Sequence, residues 1–156
     1  MYLKKLVFES LNSFEKSKDP LSSLGVGKRK LIEDWLEEMK MRRDNYTIND
    51  DLSIDFKGFV SLSGKNLFKF PDYIQFNHVG GFSCNLNNLT SLRGCPRIVN
   101  GLFDCSRNKL TSLRGCPHIM GELRCYRNAK YFSVNDVVEK YDLICKNGCW
   151  TDDSFK

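Results

Sequence analysis

The sequence contains the same eight residues twice, LTSLRGCP at positions 89–96 and LTSLRGCP again at positions 110–117, a shift of 21 residues. A second shared pattern alternates with it and reads FDCSRN at positions 103–108 and LRCYRN at positions 123–128. Together they define a frame: an apolar residue, any residue, Cys, two residues, Asn, one residue, and then two leucines three positions apart. A frame that recurs about every 20 residues indicates a solenoid in which each repeat forms one coil.

Each frame predicts a short strand followed by a turn and an arc. Phe103 and Cys105 alternate with Asp104 and Ser106, so the first pair is expected inside and the second pair outside. Asn108 follows, where the chain leaves the strand. An amide at that position can bind backbone groups of its own turn and of the neighbouring coil.

Two degenerate coils precede the clear ones. Residues 82–89 keep the strand, the Cys, the Asn and the Leu, whereas residues 60–71 have Leu in place of Cys and Lys65 in place of Asn. Residues 52–56 alternate cleanly and predict a separate first strand. The repeats are therefore expected to run from about residue 52 to about residue 130, with a short parallel sheet on the concave side.

Helices are expected at both ends of the solenoid, because a terminal coil without a cap exposes its apolar edge. Apolar residues at helical spacing predict two N-terminal helices, over residues 2–14 and 28–41. The breakers DP at 19–20 and GVG at 25–27 separate them. The second helix carries an apolar stripe formed by Leu31, Ile32, Trp35, Leu36 and Met39.

At the C-terminal end, Ser133 is predicted to cap a short helix that runs through Lys140. The polar residues 151–156 are expected to fray. The inward side of that helix would consist of Val134, Val137, Val138 and Tyr141. The predicted organisation is one compact unit with an N-terminal helical cap at residues 1–50, the repeats at 51–130, and a C-terminal cap and tail at 131–156.

The core resembles the short bacterial type of leucine-rich repeat, whose coils read Leu-x-x-Asn-x-Leu-Thr-Ser-Leu-Pro. Gly-Cys-Pro stands where that type has Leu-Pro directly, and Cys replaces Leu in the strand. This variant, together with the opening run at residues 14–28, is similar to uncharacterised proteins of large tailed bacteriophages. The resemblance implies an α+β leucine-rich-repeat solenoid that is phage-encoded and acts in the host cytoplasm. It implies no particular activity.

Cysteine placement also bears on the compartment. Cys84, Cys105 and Cys125 occupy equivalent strand positions, and Cys95 and Cys116 occupy equivalent turn positions. Cys at core positions behaves as a small apolar residue, which is typical of a reducing compartment. No long apolar run predicts a signal peptide or a membrane span. We therefore expect reduced thiols, a cytoplasmic protein and no membrane partner.

Few residues of the sequence suggest catalytic, metal-binding or anion-binding chemistry. Lys28, Arg29 and Lys30 follow two glycines at a predicted helix start and could attract an anion, but the spacing of a phosphate-binding loop is missing. Cys145 and Cys149 have a spacing that zinc tolerates, with a histidine to complete the site, yet no second Cys pair accompanies them. His78 and His118 are the candidates, although His118 aligns with a turn position. We therefore expect no enzyme, no cofactor, no metal and no small-molecule substrate.

Charge is concentrated in the clear repeats, where residues 82–130 hold eight Lys or Arg and two Asp or Glu. The frame sends outward residues into columns across the coils. The predicted columns are Ser61, Ser83, Asp104, Arg124; then Ser63, Asn85, Ser106, Tyr126; then Gly64, Leu86, Arg107, Arg127. The predicted partner-binding residues are Arg107, Arg124, Tyr126, Arg127, Asp104 and Leu86. The secondary basic candidates are Arg93, Arg114, Lys28, Arg29 and Lys30.

Arg beside Tyr is typical of a surface that binds acidic protein patches or nucleic acid. Nucleic acid would call for a longer basic stripe with several exposed aromatic residues, and only Tyr126 is clearly placed for that role. The sequence therefore favours a host or phage protein partner whose activity is modulated. Inhibition of a defence or transcription complex is a hypothesis that rests on the resemblance alone. A nucleic-acid-binding accessory protein and a plain solvated face remain alternatives.

Overall fold

A computed structural model describes the backbone of residues 20–140 and 147–156, and the side chains of residues 27–138 and 147–156. The predicted helix over residues 2–14 lies outside the described residues. The elements, in chain order, are helix α1 (Pro20–Glu38), a 3-10 turn (Arg43–Asn45), strands β1 (Tyr46–Ile48), β2 (Ile54–Ser61), β3 (Phe76–Ser83), β4 (Ile98–Val99), β5 (Phe103–Asp104), β6 (His118–Ile119) and β7 (Leu123–Arg124), a π-helical turn (Asp136–Lys140), strand β8 (Cys149–Trp150) and a 3-10 turn (Asp152–Phe155).

The strands form an eight-stranded sheet whose main order is β1-β2-β3-β5-β7-β8, with β4 and β6 in a branch beside β3. The β1–β2 pair is antiparallel and the other pairs are parallel. Because consecutive coils lie side by side in parallel, the fold is a repeat solenoid, as the recurring frame predicts. The first strand expected at residues 52–56 is not separate, since β2 continues through it into the first repeat strand.

The predicted inward column is confirmed. Cys84, Cys105 and Cys125 are fully buried, and the rings of Phe82 and Phe103 stack at a centroid distance of 6.0 Å. The leucines of the arc are buried below them, namely Leu89, Leu92, Leu110 and Leu113. Each such side chain contributes roughly 1.5–3 kcal/mol through removal from water. The core is therefore one continuous stack that no single coil could form alone.

The recurring asparagine holds adjacent coils together, as its position predicts. Asn108 Oδ1 accepts a hydrogen bond from Leu89 N at 3.0 Å. Its Nδ2 donates to Cys84 O at 2.9 Å and to Cys105 O at 3.2 Å. Asn87 and Asn128 make the same bonds in their own coils. These amides satisfy buried backbone groups that would otherwise each cost about 1–3 kcal/mol.

A column of glycines is a further repeat feature that the sequence frame did not include. Gly58, Gly80, Gly101 and Gly121 lie at equivalent places in four coils, four residues before the inward Cys or Leu. A Cβ on Gly121 would stand 2.4 Å from the carbonyl oxygen of Gly101, and one on Gly101 would stand 2.7 Å from that of Gly80. Backbones therefore approach too closely for a side chain at Gly80, Gly101 and Gly121, whereas a Cβ on Gly58, at the end of the column, would meet open space.

Helix α1 differs from the predicted helix at its start. It begins at Pro20 and runs through the GVG segment, whereas residues 28–41 were expected. Proline is tolerated in a first turn, and interior glycine costs only about 1 kcal/mol, so neither residue breaks a helix that buries apolar side chains. Ile32, Trp35 and Leu36 are buried, and Trp35 meets Phe76 edge-on at 6.3 Å. The other two stripe residues are only partly buried, namely Leu31 and Met39.

Ser133 caps a turn as predicted, since its Oγ accepts from Asp136 N at 3.1 Å while Asp136 Oδ2 accepts from Ser133 N. The inward side expected for the following helix is wrong in part. Val137 is buried, but Val134 and Val138 are exposed. The turn is π-helical, which changes the angular spacing of its side chains relative to an α-helix. The predicted position of Tyr141 lies outside the described residues.

The expected fraying of residues 151–156 is wrong. Strand β8 pairs in parallel with β7, which extends the sheet beyond the predicted boundary at residue 130. Thr151 is fully buried and caps the 3-10 turn that follows. Asp152 Oδ1 accepts from Arg127 N at 2.8 Å, and its Oδ2 accepts from Phe132 N at 2.9 Å. The Asp152 carboxylate thus accepts hydrogen bonds from backbone N–H groups that would otherwise bond to the carbonyl groups of a further coil.

Candidate interaction surface

The outward columns have the predicted register. Ser61 pairs with Ser83, Ser83 with Asp104, and Asp104 with Arg124. The structure adds a residue at the end of this column, because Trp150 pairs with Arg124. These positions alternate with the buried column of Cys side chains, so the outward face of the sheet runs across five strands.

Asp104 was predicted to bind a partner from the outward face, but its side chain is buried. Its side chain is only 4% exposed. One oxygen accepts from the backbone N and Oγ of Ser106, and the other accepts from Asn85 Nδ2 at 3.0 Å. In the middle of the sheet a short carboxylate is covered by its own hydrogen-bond partners. Asp104 therefore organises the face and does not present a charge to solvent.

Arg124 lies on the face, but its charge is partly neutralised. Its Nε donates to Glu122 Oε1 at 2.5 Å. This hydrogen bond raises the pKa of Arg124 above its usual range. The guanidinium is therefore held along the sheet, and Arg124 contributes less free positive charge than its column position predicts.

Leu86, Arg107 and Arg127 are exposed and share an uncommon backbone conformation. Their φ angles are 54°, 53° and 53°, and Gly64 occupies the same column with φ 64°. We call these three non-glycine residues the left-handed row. The left-handed region costs an ordinary L-residue about 1 kcal/mol or more, because Cβ crowds the following carbonyl oxygen. The sequence predicted the column but not its conformation.

Three aromatic side chains meet at the C-terminal end of the face, and we call them the aromatic cluster: Tyr126, Trp150 and Phe155. Tyr126 and Phe155 pack edge-to-face at 4.7 Å, and Trp150 lies 6.3 Å from Phe155. The Arg127 guanidinium stands over the Phe155 ring at 5.8 Å. Trp150 is 45% exposed and Phe155 is 55% exposed. The cluster is therefore a large apolar and cationic surface that is open to solvent.

Sequence reasoning missed Trp150 and Phe155. A signal was present, because CWTD at positions 149–152 fits the strand frame of LRCY at 123–126, with Thr151 in the place of the buried Cys. The change from Cys to Thr at the inward position and the lack of a following Asn and Leu concealed the match. Strand β8 therefore belongs to the same frame as the clear repeats.

The secondary basic candidates lie in two other places. Arg93 and Arg114 are exposed on turns. The helix start expected at Lys28 is wrong, because Lys28 lies inside α1. Arg29 donates to Ile48 O and Asn49 O, and Lys30 is ion-paired with Asp34 at 2.5 Å. Arg29 and Lys30 are therefore engaged within the protein.

The described thiols and histidines form no metal-binding cluster. Cys84, Cys95, Cys105 and Cys125 are free thiols, and burial raises the pKa of Cys95 and Cys105. Within residues 20–140 and 147–156, no cluster of three or more His, Cys, Asp or Glu side chains could hold a metal ion. Cys145 lies outside the described residues. The turn position expected for His118 is wrong, because His118 lies in β6 and pairs with Ile98.

No protein-family model matches the sequence, and neither the curated proteins nor the solved structures provide a match. Among the described residues, no helix combines the length and the apolar character that crossing a membrane requires. The inference of function therefore rests on the chemistry of the outward face.

Proposed function

We propose that the protein is a non-catalytic protein-interaction module that binds its partner through the outward face of the sheet. The observation that carries this proposal is the position of Arg107 and Arg127 beside the aromatic cluster. Both arginines are exposed, and within the described part of the chain neither is paired with a carboxylate. Arg, Trp and Tyr are the residues most enriched at the energetic centres of protein interfaces.

The solenoid is, in this proposal, of the leucine-rich-repeat type with helical caps. The buried asparagines that bind two coils at once support that type, as does the buried leucine pair in each clear repeat. Helix α1 is the N-terminal cap, supported by the burial of Ile32, Trp35 and Leu36. The turn at Asp136–Lys140, with Val137 buried, is the C-terminal cap.

The partner is a host or phage protein, and binding modulates or inhibits it in the host cytoplasm. Support for a phage origin comes from the sequence resemblance, and a defence or transcription complex as the partner is a hypothesis that rests on that resemblance alone. The four free thiols at core positions suit a reducing compartment. Catalysis, cofactors and small-molecule substrates have no part in this proposal.

Affinity capture from host lysate, with and without nuclease, tests the proposal. The parent protein should retain a partner after nuclease treatment, and the double variant Arg107→Ala with Arg127→Ala should lose it. The matched control removes the same charge from the turns, as Arg93→Ala with Arg114→Ala, and should retain the partner. Equal capture by both double variants would remove the outward face from consideration.

A second candidate function is binding of single-stranded nucleic acid. Trp150 and Phe155 favour it, because they join Tyr126 as the exposed aromatic side chains on which bases stack. Release of counterions from phosphates would make such binding fall steeply with salt. Capture that disappears after nuclease treatment and weakens steeply between 50 and 200 mM salt would favour this candidate over a protein partner.

A further inference from the structure

The left-handed row holds large side chains where glycine would fit without strain. Gly64 occupies the same column in the first coil, and a Cβ there would meet open space. Leu86, Arg107 and Arg127 are exposed, so they contribute little to the core in return for the strain. Strain that brings no packing is typical of positions where the side chain acts on something outside the fold.

The row continues directly into the aromatic cluster. Arg127 belongs to the row, and its guanidinium stands over Phe155 in the cluster. The combined strip runs along the solenoid from an apolar end at Leu86, through two cations, to the exposed rings of Trp150 and Phe155. Its neighbouring coils are about 4.8 Å apart. An extended chain that lies along the strip would meet these groups in turn.

The charges along the strip indicate the charge of the chain that would bind there. The carboxylates around the strip are already engaged: Glu122 by Arg124, Asp104 by Ser106 and Asn85, Asp152 by backbone N–H groups, and Asp153 by Lys156 and Tyr131. Arg107 and Arg127 therefore lack carboxylate partners among the described residues, and a ligand can supply them. The strip offers two cations and not a longer basic stripe, which favours a peptide with discrete carboxylates over a continuous polyanion such as nucleic acid.

We infer that the strip binds an extended acidic peptide segment that carries aromatic side chains. Its carboxylates pair with Arg107 and Arg127, and its rings pack on Trp150 and Phe155. Side chains on one face of an extended chain are about 6.5–7 Å apart, a spacing that flexible arginines on adjacent coils can reach. This inference rests on the proposed function and specifies the chemistry of the partner.

Fluorescence anisotropy with three labelled probes tests it: a random copolymer of glutamate and tyrosine, polyglutamate of the same length, and oligo-dT. We expect the copolymer to bind the parent at least tenfold more tightly than either other probe. Arg107→Gly with Arg127→Gly should weaken copolymer binding at least tenfold while the melting temperature stays equal or rises. Arg93→Ala with Arg114→Ala should change binding less than threefold.

A second variant tests the aromatic part. Trp150→Ala should reduce binding of the copolymer at least fivefold and leave the weak binding of polyglutamate unchanged. Polyglutamate that binds the parent as tightly as the copolymer would overturn the aromatic requirement. Oligo-dT as the tightest probe would overturn the inference in favour of nucleic acid, and unchanged binding by the double glycine variant would overturn the strip.

Failure of the inference is distinguishable from failure of the proposed function. If the copolymer does not bind the parent while nuclease-resistant capture still depends on Arg107 and Arg127, the acidic and aromatic class is wrong and the protein-binding face stands. If capture is also independent of these two arginines, both proposals fall.

Discussion

Two neighbouring columns of the solenoid have opposite effects on the stability of the fold. The asparagine column is buried, and each amide bonds backbone groups of two coils. The left-handed row comes one residue earlier in each coil, is exposed and adopts a backbone conformation that its side chains disfavour. One column therefore stabilises the solenoid, and the adjacent one costs stability. Position within a repeat alone does not reveal which role a residue has.

The largest effect should come from the asparagine column. Asn108→Ala leaves Leu89 N without its acceptor. It also removes one of the two amide donors to the carbonyl groups of Cys84 and Cys105, which keep Asn87 and Asn128. At about 1–3 kcal/mol for the unpaired N–H group and about 1 kcal/mol for each lost hydrogen bond to a carbonyl group, the free energy of unfolding should fall by roughly 3 kcal/mol in urea denaturation. The matched control is Asn88→Ala, which should cost at most about 0.5 kcal/mol, because among the described residues its amide bonds only the exposed Asn66 side chain. Equal losses of stability in the two variants would show that the buried asparagine column does not stabilise the solenoid more than an exposed asparagine does.

The glycine column should behave like the asparagine column. A methyl group at Gly121 meets the backbone of Gly101, so Gly121→Ala should lower the free energy of unfolding by about 1–3 kcal/mol or more. Gly27→Ala is the control, because Gly27 lies inside α1 with open space around it. That change should raise stability by up to about 1 kcal/mol. Thermal unfolding of the two variants should therefore shift in opposite directions, and shifts of the same sign would contradict the close backbone approach.

Glycine at the left-handed row should have the reverse effect. Leu86→Gly relieves strain at an exposed side chain and should raise the free energy of unfolding by roughly 0.5–1 kcal/mol. The reciprocal change, Gly64→Leu, should lower it by a similar amount, since φ there is 64° and only the backbone opposes the new side chain. Chemical denaturation measures both. A loss of stability in Leu86→Gly would show that the leucine serves the fold after all.

The smallest effect concerns pH at the C-terminal end. Lys156, Tyr131 and the Val134 amide lower the pKa of Asp153 to about 2 from an ordinary value near 3.8. A lowered carboxyl pKa adds stability above the unfolded value, and that stability is lost as pH falls from about 4 towards 2. The melting temperature of the parent should therefore fall more than that of Asp153→Asn across this range. Parallel curves would mean that Asp153 is not held in this way.

The repeat frame was sufficient to predict the columns, because a coil period of about 20 residues places equivalent positions side by side. Cys105 and Asn108 could be assigned to the interior from their own chemistry and spacing. The glycine column was also visible in the sequence, four residues before each inward Cys or Leu. Its structural role is clear only when the backbones of adjacent coils are known to approach closely. Trp150 was harder to recognise, since its strand lacks the Asn and Leu that mark a repeat.

Two features of the surface depended on neighbouring coils. Asp104 occupies an outward position by alternation, yet hydrogen bonds from Ser106 and Asn85 enclose it. Arg127 was expected on the face, but its left-handed backbone and its place over Phe155 follow from the strand that packs beside it. The period, the inward column and the register of the outward columns could all be predicted from the sequence, because they are local spacings. The exposure of the outward residues could not, since it depends on side chains from coils that are distant along the chain.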